Sequence, residues 1–292
     1  MHFKLDLSQI TPNTKIIVSF IMNDFFKQVV FVSFGTTPDW SQAHSRLKKS
    51  IRKNFPSASI FFKDQKWLKT TPFFIEHSDF FVSHSKGFGL WLWKPFIIKE
   101  AISQFNQAKY IIYIDAGVEL NITKLSLLRL NEYLEIVEKT GALAFKLNLL
   151  EKDFTSPLLF SKKFKNLPTH QQISASVICL KNNDTIFSFV SEWLDKMIID
   201  DYELTLGYNP RHKEIFENHR HDQSILSLLW HKTSFSALKD ETFFENNWSK
   251  GHNYPFWVAR NRLIVSIKSN YVLRLVFRLF RMLSILLQKI VK

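Results

Sequence analysis

Asp115 and Glu119 stand four residues apart in the run Tyr110-Ile111-Ile112-Tyr113-Ile114-Asp115-Ala116-Gly117-Val118-Glu119. Two carboxylates at the end of one apolar run suit a hard divalent cation. Mg2+ and Mn2+ take oxygen ligands and leave positions for water and phosphate oxygens. A cation held there could take phosphate oxygens and would stabilise charge building on a leaving phosphate. The plainer reading makes Asp115 a turn residue and Glu119 a solvated one. Gly117 between them lets a backbone come close to a ligand or turn with positive φ.

Three further stretches carry candidate chemistry. The first is Ser85-Lys86-Gly87-Phe88-Gly89-Leu90-Trp91-Leu92-Trp93-Lys94-Pro95, which holds two of only seven glycines in the chain. Gly87 and Gly89 permit close backbone approach, Lys86 and Lys94 offer point charges to phosphate, and Trp93 joins them in a substrate-binding set. Read plainly, the tryptophans are core and the lysines surface. The second is His219-Arg220-His221-Asp222-Gln223-Ser224. Asp222 and Gln223 can bond sugar hydroxyls, and Asp222 can serve as general base; alternatively Asp222 is only a helix N-cap. The spacing fits zinc poorly. The third is Trp248-Ser249-Lys250-Gly251-His252-Asn253-Tyr254-Pro255-Phe256-Trp257. His252 could ligate a metal through neutral imidazole and close over the diphosphate with Lys250, or the stretch is a loop of packed aromatics.

The elements that must position these residues follow from periodicity. Gln28–Phe34 reads as a strand ending in Gly35-Thr36-Thr37-Pro38 turn chemistry. Ser41 starts and caps a helix to about Asn54, with Ala43, Leu47 and Ile51 on one face, and Pro56 stops it. Ser59–Phe62 is a short strand. Pro95 sits at a helix start, and Ile97, Ile98, Ala101, Ile102 and Phe105 give that helix its apolar face. Tyr110–Ile114 is apolar throughout, as in a strand buried on both faces, and an Asp at the carboxyl end of such a strand lies where open α/β sheets bind ligands. A helix over Leu125–Lys139, ended by Gly141, precedes strands at Ala142–Leu147 and Ser174–Leu180. Helices follow at Asn183–Ile199 and from Asp222 to Trp230. Strand and helix alternate, which argues for an α/β fold with a mostly parallel sheet and crossover helices. Residues 1–14 read as a lead-in, and 15–20 as strand or helix.

The Trp-Leu-Trp-Lys-Pro run paired with Tyr-Ile-Asp-Ala-Gly, and the later His-Asp-Gln, resemble bacterial glycosyltransferases of the GT-A superfold, whose relatives make capsule and lipopolysaccharide. The resemblance covers roughly residues 28–262. It implies a Rossmann-like GT-A catalytic domain over 1–262, with a donor half at about 15–120 and an acceptor half at about 121–262. It implies transfer from a nucleotide-sugar donor to a hydroxyl of a cell-surface glycan or lipid-linked acceptor. Asp115 stands where the first Asp of the Asp-x-Asp metal motif would stand, and Gly117 where the second would. Mn2+ or Mg2+ is the implied cofactor, with Asp115, Glu119 and His252 as the ligand set and Asp222 as an alternative that could complete it.

Composition bounds the rest. At 46% hydrophobic and 22% charged residues, the chain is globular. A single cysteine, Cys179, permits no intrachain disulfide, which agrees with a reducing compartment. The net charge is +13, yet residues 246–292 hold nine Lys/Arg and no Asp or Glu, leaving +4 for the first 245. Within that excess, 263–292 reads as an amphipathic helix with Arg274, Arg278, Arg281, Gln288, Lys289 and Lys292 near one stripe. Its arginines forbid a span, since no stretch reaches the ~18 apolar residues needed, and suit the interface of an anionic membrane. The expected location is cytoplasmic, peripheral on the inner face of the cell membrane, with no signal peptide. Nucleic-acid binding rests on charge alone and is not expected. The alternative function is a non-catalytic glycan- or lipid-binding protein on the same scaffold.

Overall fold

The computed structural model describes residues 26–162, 164, 167–208, 216, 218–245 and 247–267. The expected lead-in, the undecided segment 15–20 and the amphipathic tail from 268 onward lie outside these residues.

A seven-stranded sheet organises the chain. Strands β1 (Val29–Gly35), β2 (Ser59–Asp64) and β3 (Tyr110–Ile114) are joined by α1 (Ser41–Asn54) and by a segment that ends in α2 (Trp93–Gln104). After β4 (Glu119–Leu120) come α3 (Lys124–Thr140), β5 (Ala142–Leu150), β6 (Gln171–Ile173) and β7 (Val177–Lys181). Then follow α4 (Asp184–Leu206), α5 (His221–Trp230), β8 (Ser236–Lys239) and β9 (Phe256–Trp257). The sheet order is β2-β1-β3-β7-β5-β6, with β8 on β5. β2 and β3 pair parallel with β1. β7 is antiparallel to β3, and β5 antiparallel to β7, which returns β5 to the direction of β3. β8 is parallel to β5 and β6 antiparallel to it. Five strands therefore point one way and β6 and β7 the other, so the sheet is mostly parallel, as expected.

The apolar run of β3 is continuous because both sheet faces are covered. Ile111 and Tyr113 pack on one side with residues of α2, α4 and α5, such as Ile98, Phe189 and Leu226. Tyr110, Ile112 and Ile114 pack on the other with Leu47 of α1 and Leu130 of α3. Truncating one such residue to Ala costs about 2–5 kcal/mol. The α1 face is as its spacing required, with Ala43, Leu47 and Ile51 all buried. Ser41 does not cap it: Trp40 takes that position, and the Ser41 hydroxyl donates to the Pro38 carbonyl at 3.1 Å.

Two details of the chain path shape the cavity. The expected strand Ser174–Leu180 is interrupted, because residues 174–176 leave the ladder between β6 and β7. The Lys86–Pro95 stretch is not a strand. Gly87, Phe88, Gly89, Leu90 and Trp91 all have φ between +50° and +74°, one turn of left-handed helix. Each non-glycine residue there costs roughly 1–2 kcal/mol. Compensation comes from local bonds and burial. The Trp93 indole N–H donates to Gly87 O (2.9 Å), the Leu90 amide to Lys86 O (2.9 Å) and the Gly89 amide to His84 O (2.7 Å), while Leu90 and Leu92 are buried. Gly89 is required on two counts: its φ is +74°, and an added Cβ would lie 2.4 Å from the Phe81 ring.

Candidate functional site

A cavity of about 540 Å3 opens where the carboxyl ends of β1 and β3 meet the left-handed turn and the start of α5. Its floor is a buried ion cluster. Lys94, on the first turn of α2, has Nζ 2.8 Å from Asp222 Oδ2 and 3.4 Å from Asp115 Oδ1, and donates to the Ala175 carbonyl at 3.2 Å. The interrupted strand thus exposes a carbonyl that the ammonium uses. The Tyr113 hydroxyl donates to Asp115 Oδ1 at 2.6 Å.

Electrostatics fixes the charges. Burial works to lower the Lys94 pKa, but Asp115 and Asp222 outweigh it and hold the pKa raised, so the amine stays an ammonium. Burial pushes the Asp222 carboxyl up to about 6 against the pull of Lys94. Burial, then the two carboxylates, keep Tyr113 a phenol. The Asp115 side chain is 32% exposed and faces the cavity; Asp222 is 5% exposed.

One wall is the turn with the head of α5. Lys86 Nζ lies 3.2 Å from His221 Nε2, and His221 Nδ1 lies 2.8 Å from the Thr205 carbonyl. A carbonyl can only accept, so Nδ1 carries the proton and Nε2 accepts from the Lys86 ammonium. His219 is fixed likewise: Nδ1 accepts from the Ser156 amide and Nε2 donates to Leu204 O. Burial lowers the two imidazoles to about 3 (His219) and about 4 (His221), so both are neutral. Gln223 is spent structurally: its Oε1 accepts from the Ala175 amide (3.3 Å) and its Nε2 donates to Gln172 (2.7 Å).

A further part of the lining is basic and aromatic. Arg220, Arg260, Arg262 and Trp40 line it. The Arg262 guanidinium lies 4.9 Å from the Trp40 ring centre and 3.9 Å from Asp39 at the rim. Arg220 lies 4.4 Å from the Phe154 ring centre. Burial and then the like charge of Arg260 lower the Arg220 pKa. Among the described residues, neither Arg220 nor Arg260 has a carboxylate partner.

The structure brings together Lys86, Gly87, Trp93, Lys94, Asp115, Gly117, Asp222 and Gln223, all of which line the cavity. It does not bring in Gly89, which is buried beneath the turn, nor Lys250, which is exposed on another surface. Glu119 and His252 are also elsewhere. Glu119 is buried and spent on Arg46 (3.8 Å), the Asn261 amide (2.6 Å), Ser266 and the Ile267 backbone N–H (2.9 Å), which tie the chain near 261–267 to β4. His252 has an exposed side chain, and its carbonyl serves Asn121 and Thr123.

The expected Mg2+ or Mn2+ ligand set therefore does not assemble. The residues present do not fit a divalent cation: an ammonium already lies beside both Asp115 and Asp222. Gly117, in the second Asp position, offers no donor and touches Trp40, whose ring would be 2.6 Å from an added Cβ. Among the described residues, no three His, Cys, Asp or Glu side chains gather as a metal site.

Sequence reasoning missed Trp40, Tyr113, Arg220, His221, Arg260 and Arg262 as lining or supporting groups. Arg220 and His221 sat inside a run already singled out, and could have been taken with Asp222. Arg260 and Arg262 were absorbed into the basic excess of the C-terminal region. Trp40 carries no local signal.

No family model and no curated protein sequence matches the chain. Several solved structures resemble it in fold. One is a glycosyltransferase involved in glycosylation of the major capsid of PBCV-1, at 9% identity and a TM-score of 0.40, covering 78% of this chain and 91% of that one. Another is mouse xyloside xylosyltransferase 1 in its apo form, at 11% identity and a TM-score of 0.44, covering 78% and 96%. A third is the apo WbbM bifunctional glycosyltransferase, at 11% identity and a TM-score of 0.44, where 78% of this chain matches 45% of that one.

Proposed function

We propose that the protein is a glycosyltransferase that moves a sugar from a nucleoside-diphosphate donor to a hydroxyl of a glycan or lipid-linked acceptor. The observation that carries this reading is the cavity itself: two carboxylates on a buried lysine, and in the same cavity a tryptophan with cationic side chains. The aromatic face of Trp40 suits a nucleobase, because every base has a π-face to stack. Lys86, Arg220, Arg260 and Arg262 suit the diphosphate, guanidinium being the better match to phosphate oxygens. Asp115 suits the hydroxyls of the donor sugar.

In the reaction so read, an acceptor hydroxyl attacks the anomeric carbon. The bond from that carbon to the phosphate oxygen breaks, its electron pair leaves with the nucleoside diphosphate, and the hydroxyl proton passes to the Asp222 carboxylate. A carboxyl held at about 6 is ionised at neutral pH and is a stronger base than an ordinary one. The basic wall stabilises charge on the leaving group, and being preorganised it needs no rearrangement to do so.

The location of the reaction fits a membrane surface. Leu263, Ile264 and Val265 are exposed in succession at the point where the basic, apolar tail begins, and such a segment partitions to an anionic interface. No helix among the described residues is long and apolar enough to cross a membrane.

A thermal-shift screen across the common sugar nucleotides tests the reading. A donor at about a hundredfold its Kd adds about 2.7 kcal/mol to stability, a clear rise in Tm. The rise should shrink in Trp40→Ala and Arg220→Gln. No rise with any sugar nucleotide would contradict the proposal.

A further inference from the structure

The cavity carries its own neutralising charge. Lys86, Lys94, Arg220, Arg260 and Arg262 line it against Asp115 and Asp222, leaving three positive charges in excess. His219 and His221 add nothing, being neutral. That excess matches the charge of a nucleoside diphosphate, in which two phosphates carry two to three negative charges.

Resting on the reading as a sugar-nucleotide transferase, we infer that the Lys94 ammonium takes the place of a divalent cation between Asp115 and Asp222, and that Lys86 with Arg220, Arg260 and Arg262 holds the diphosphate, so that donor binding and transfer need no metal. Three independent observations converge on it. The ammonium, itself buried, lies 2.8 Å from the buried Asp222 and 3.4 Å from the cavity-facing Asp115, so a second cation there would meet like charge at contact distance. Glu119 is spent on Arg46, Asn261 and the backbone of Ile267, so it is not available to complete a cage. Arg220 and Arg260 sit close enough to repel each other without a carboxylate between them among the described residues, an arrangement that an anion relieves. Lys86 is aimed by the hydrogen bond to His221 Nε2, which makes His221 a positioning residue for the diphosphate.

The test is calorimetric titration of the full chain with uridine, guanosine, adenosine, cytidine and thymidine diphosphates, each in excess EDTA and again in excess Mn2+. The expected result is binding of at least one nucleotide in EDTA, at a Kd unchanged by Mn2+. Binding that appears only with Mn2+, or tightens about tenfold or more with it, overturns the inference and leaves the transferase reading standing. No binding of any nucleotide under either condition overturns both. Arg260→Gln should weaken binding in EDTA by about tenfold; unchanged binding counts against the basic wall. Titration with Mn2+ alone adds a further arm: no uptake by the wild-type chain is expected, and uptake appears in Lys94→Gln, where the two carboxylates lose their cation. Mn2+ uptake by the wild type at this cluster, abolished in Asp115→Asn, would contradict it.

Discussion

The ammonium of Lys94 and the carboxylate of Asp222 meet at 2.8 Å with both side chains about 5% exposed or less, so neither charge stands without the other. Lys94 brings it from the first turn of α2 and Asp222 from the first turn of α5, and the contact locks those two helices over the end of β3. Removing one partner of a buried pair leaves an uncompensated charge and costs about 3–5 kcal/mol. Lys94→Met should therefore destabilise the protein by that amount in urea denaturation. Adding Asp222→Asn to it should recover part of the loss. Equal stability of Lys94→Met and wild type would mean that the pair is not formed.

The same pair sets a pH dependence. Asp222 accepts a proton only as the carboxylate, and burial holds its pKa at about 6, above the ordinary 3.8. The rate should rise as pH increases through about 6 and level off above it. A pH profile of kcat checks this. Persistence of the same acid limb in the residual activity of Asp222→Asn would assign it to another group.

Glu151 is another buried carboxyl, outside the cavity lining but linked to it by hydrogen bonds. It accepts from Thr155 (2.6 Å) and Ser227, and Gln172, which holds Gln223 at the cavity, also donates to Thr155. Burial pushes Glu151 up to about 7 from 4.5, against hydrogen bonds that pull it down. The folded state therefore holds its proton more tightly than the unfolded state. Stability from this group is full below about 4.5 and is lost as pH rises through about 7, by up to about 3 kcal/mol. Denaturation of the wild type and of Glu151→Gln at pH 5 and pH 8 should show the wild type losing most of that amount relative to the variant between the two pH values; an unchanged difference would contradict it.

Trp40 packs against Gly117, where an added Cβ would lie 2.6 Å from the ring. If it is the base platform, Trp40→Ala should weaken nucleotide binding by about 1–3 kcal/mol, while Trp40→Phe keeps most of it. Gly117→Ala should weaken binding too, by displacing the ring. Calorimetric affinities for one nucleotide across the three variants decide it.

The chain's scaffold was legible because it is written locally. Five apolar residues in Tyr110–Ile114, four-residue spacing in Ala43, Leu47 and Ile51, and Gly141 after Thr140 each depend on neighbours in sequence. Asp115 and Asp222 were found for the same reason, as polar residues at the ends of such elements. What sequence could not give was partnership across the fold. Glu119 looked free to bind a metal because Arg46 and Asn261, which engage it, lie far away in the chain. Lys94 looked like a surface or phosphate-binding lysine because neither carboxylate beside it is local. The strand Ser174–Leu180 looked continuous because its apolar pattern is; at the break, Ala175 bonds to Lys94 and Gln223, both distant in the chain. Three non-glycine residues in left-handed conformation at 88, 90 and 91 run against local preference and are held by Trp93 and the core.

The measurement closest to the central claim is turnover of whichever sugar nucleotide the thermal-shift screen identifies, read as release of the nucleoside diphosphate by the full chain with its acceptor. Asp115→Asn and Asp222→Asn, compared at matched folding by circular dichroism, should each lower kcat by about a hundredfold or more, with the donor still bound. Wild-type rates in both variants would contradict the account, because the carboxylates around Lys94 would then have no part in the chemistry.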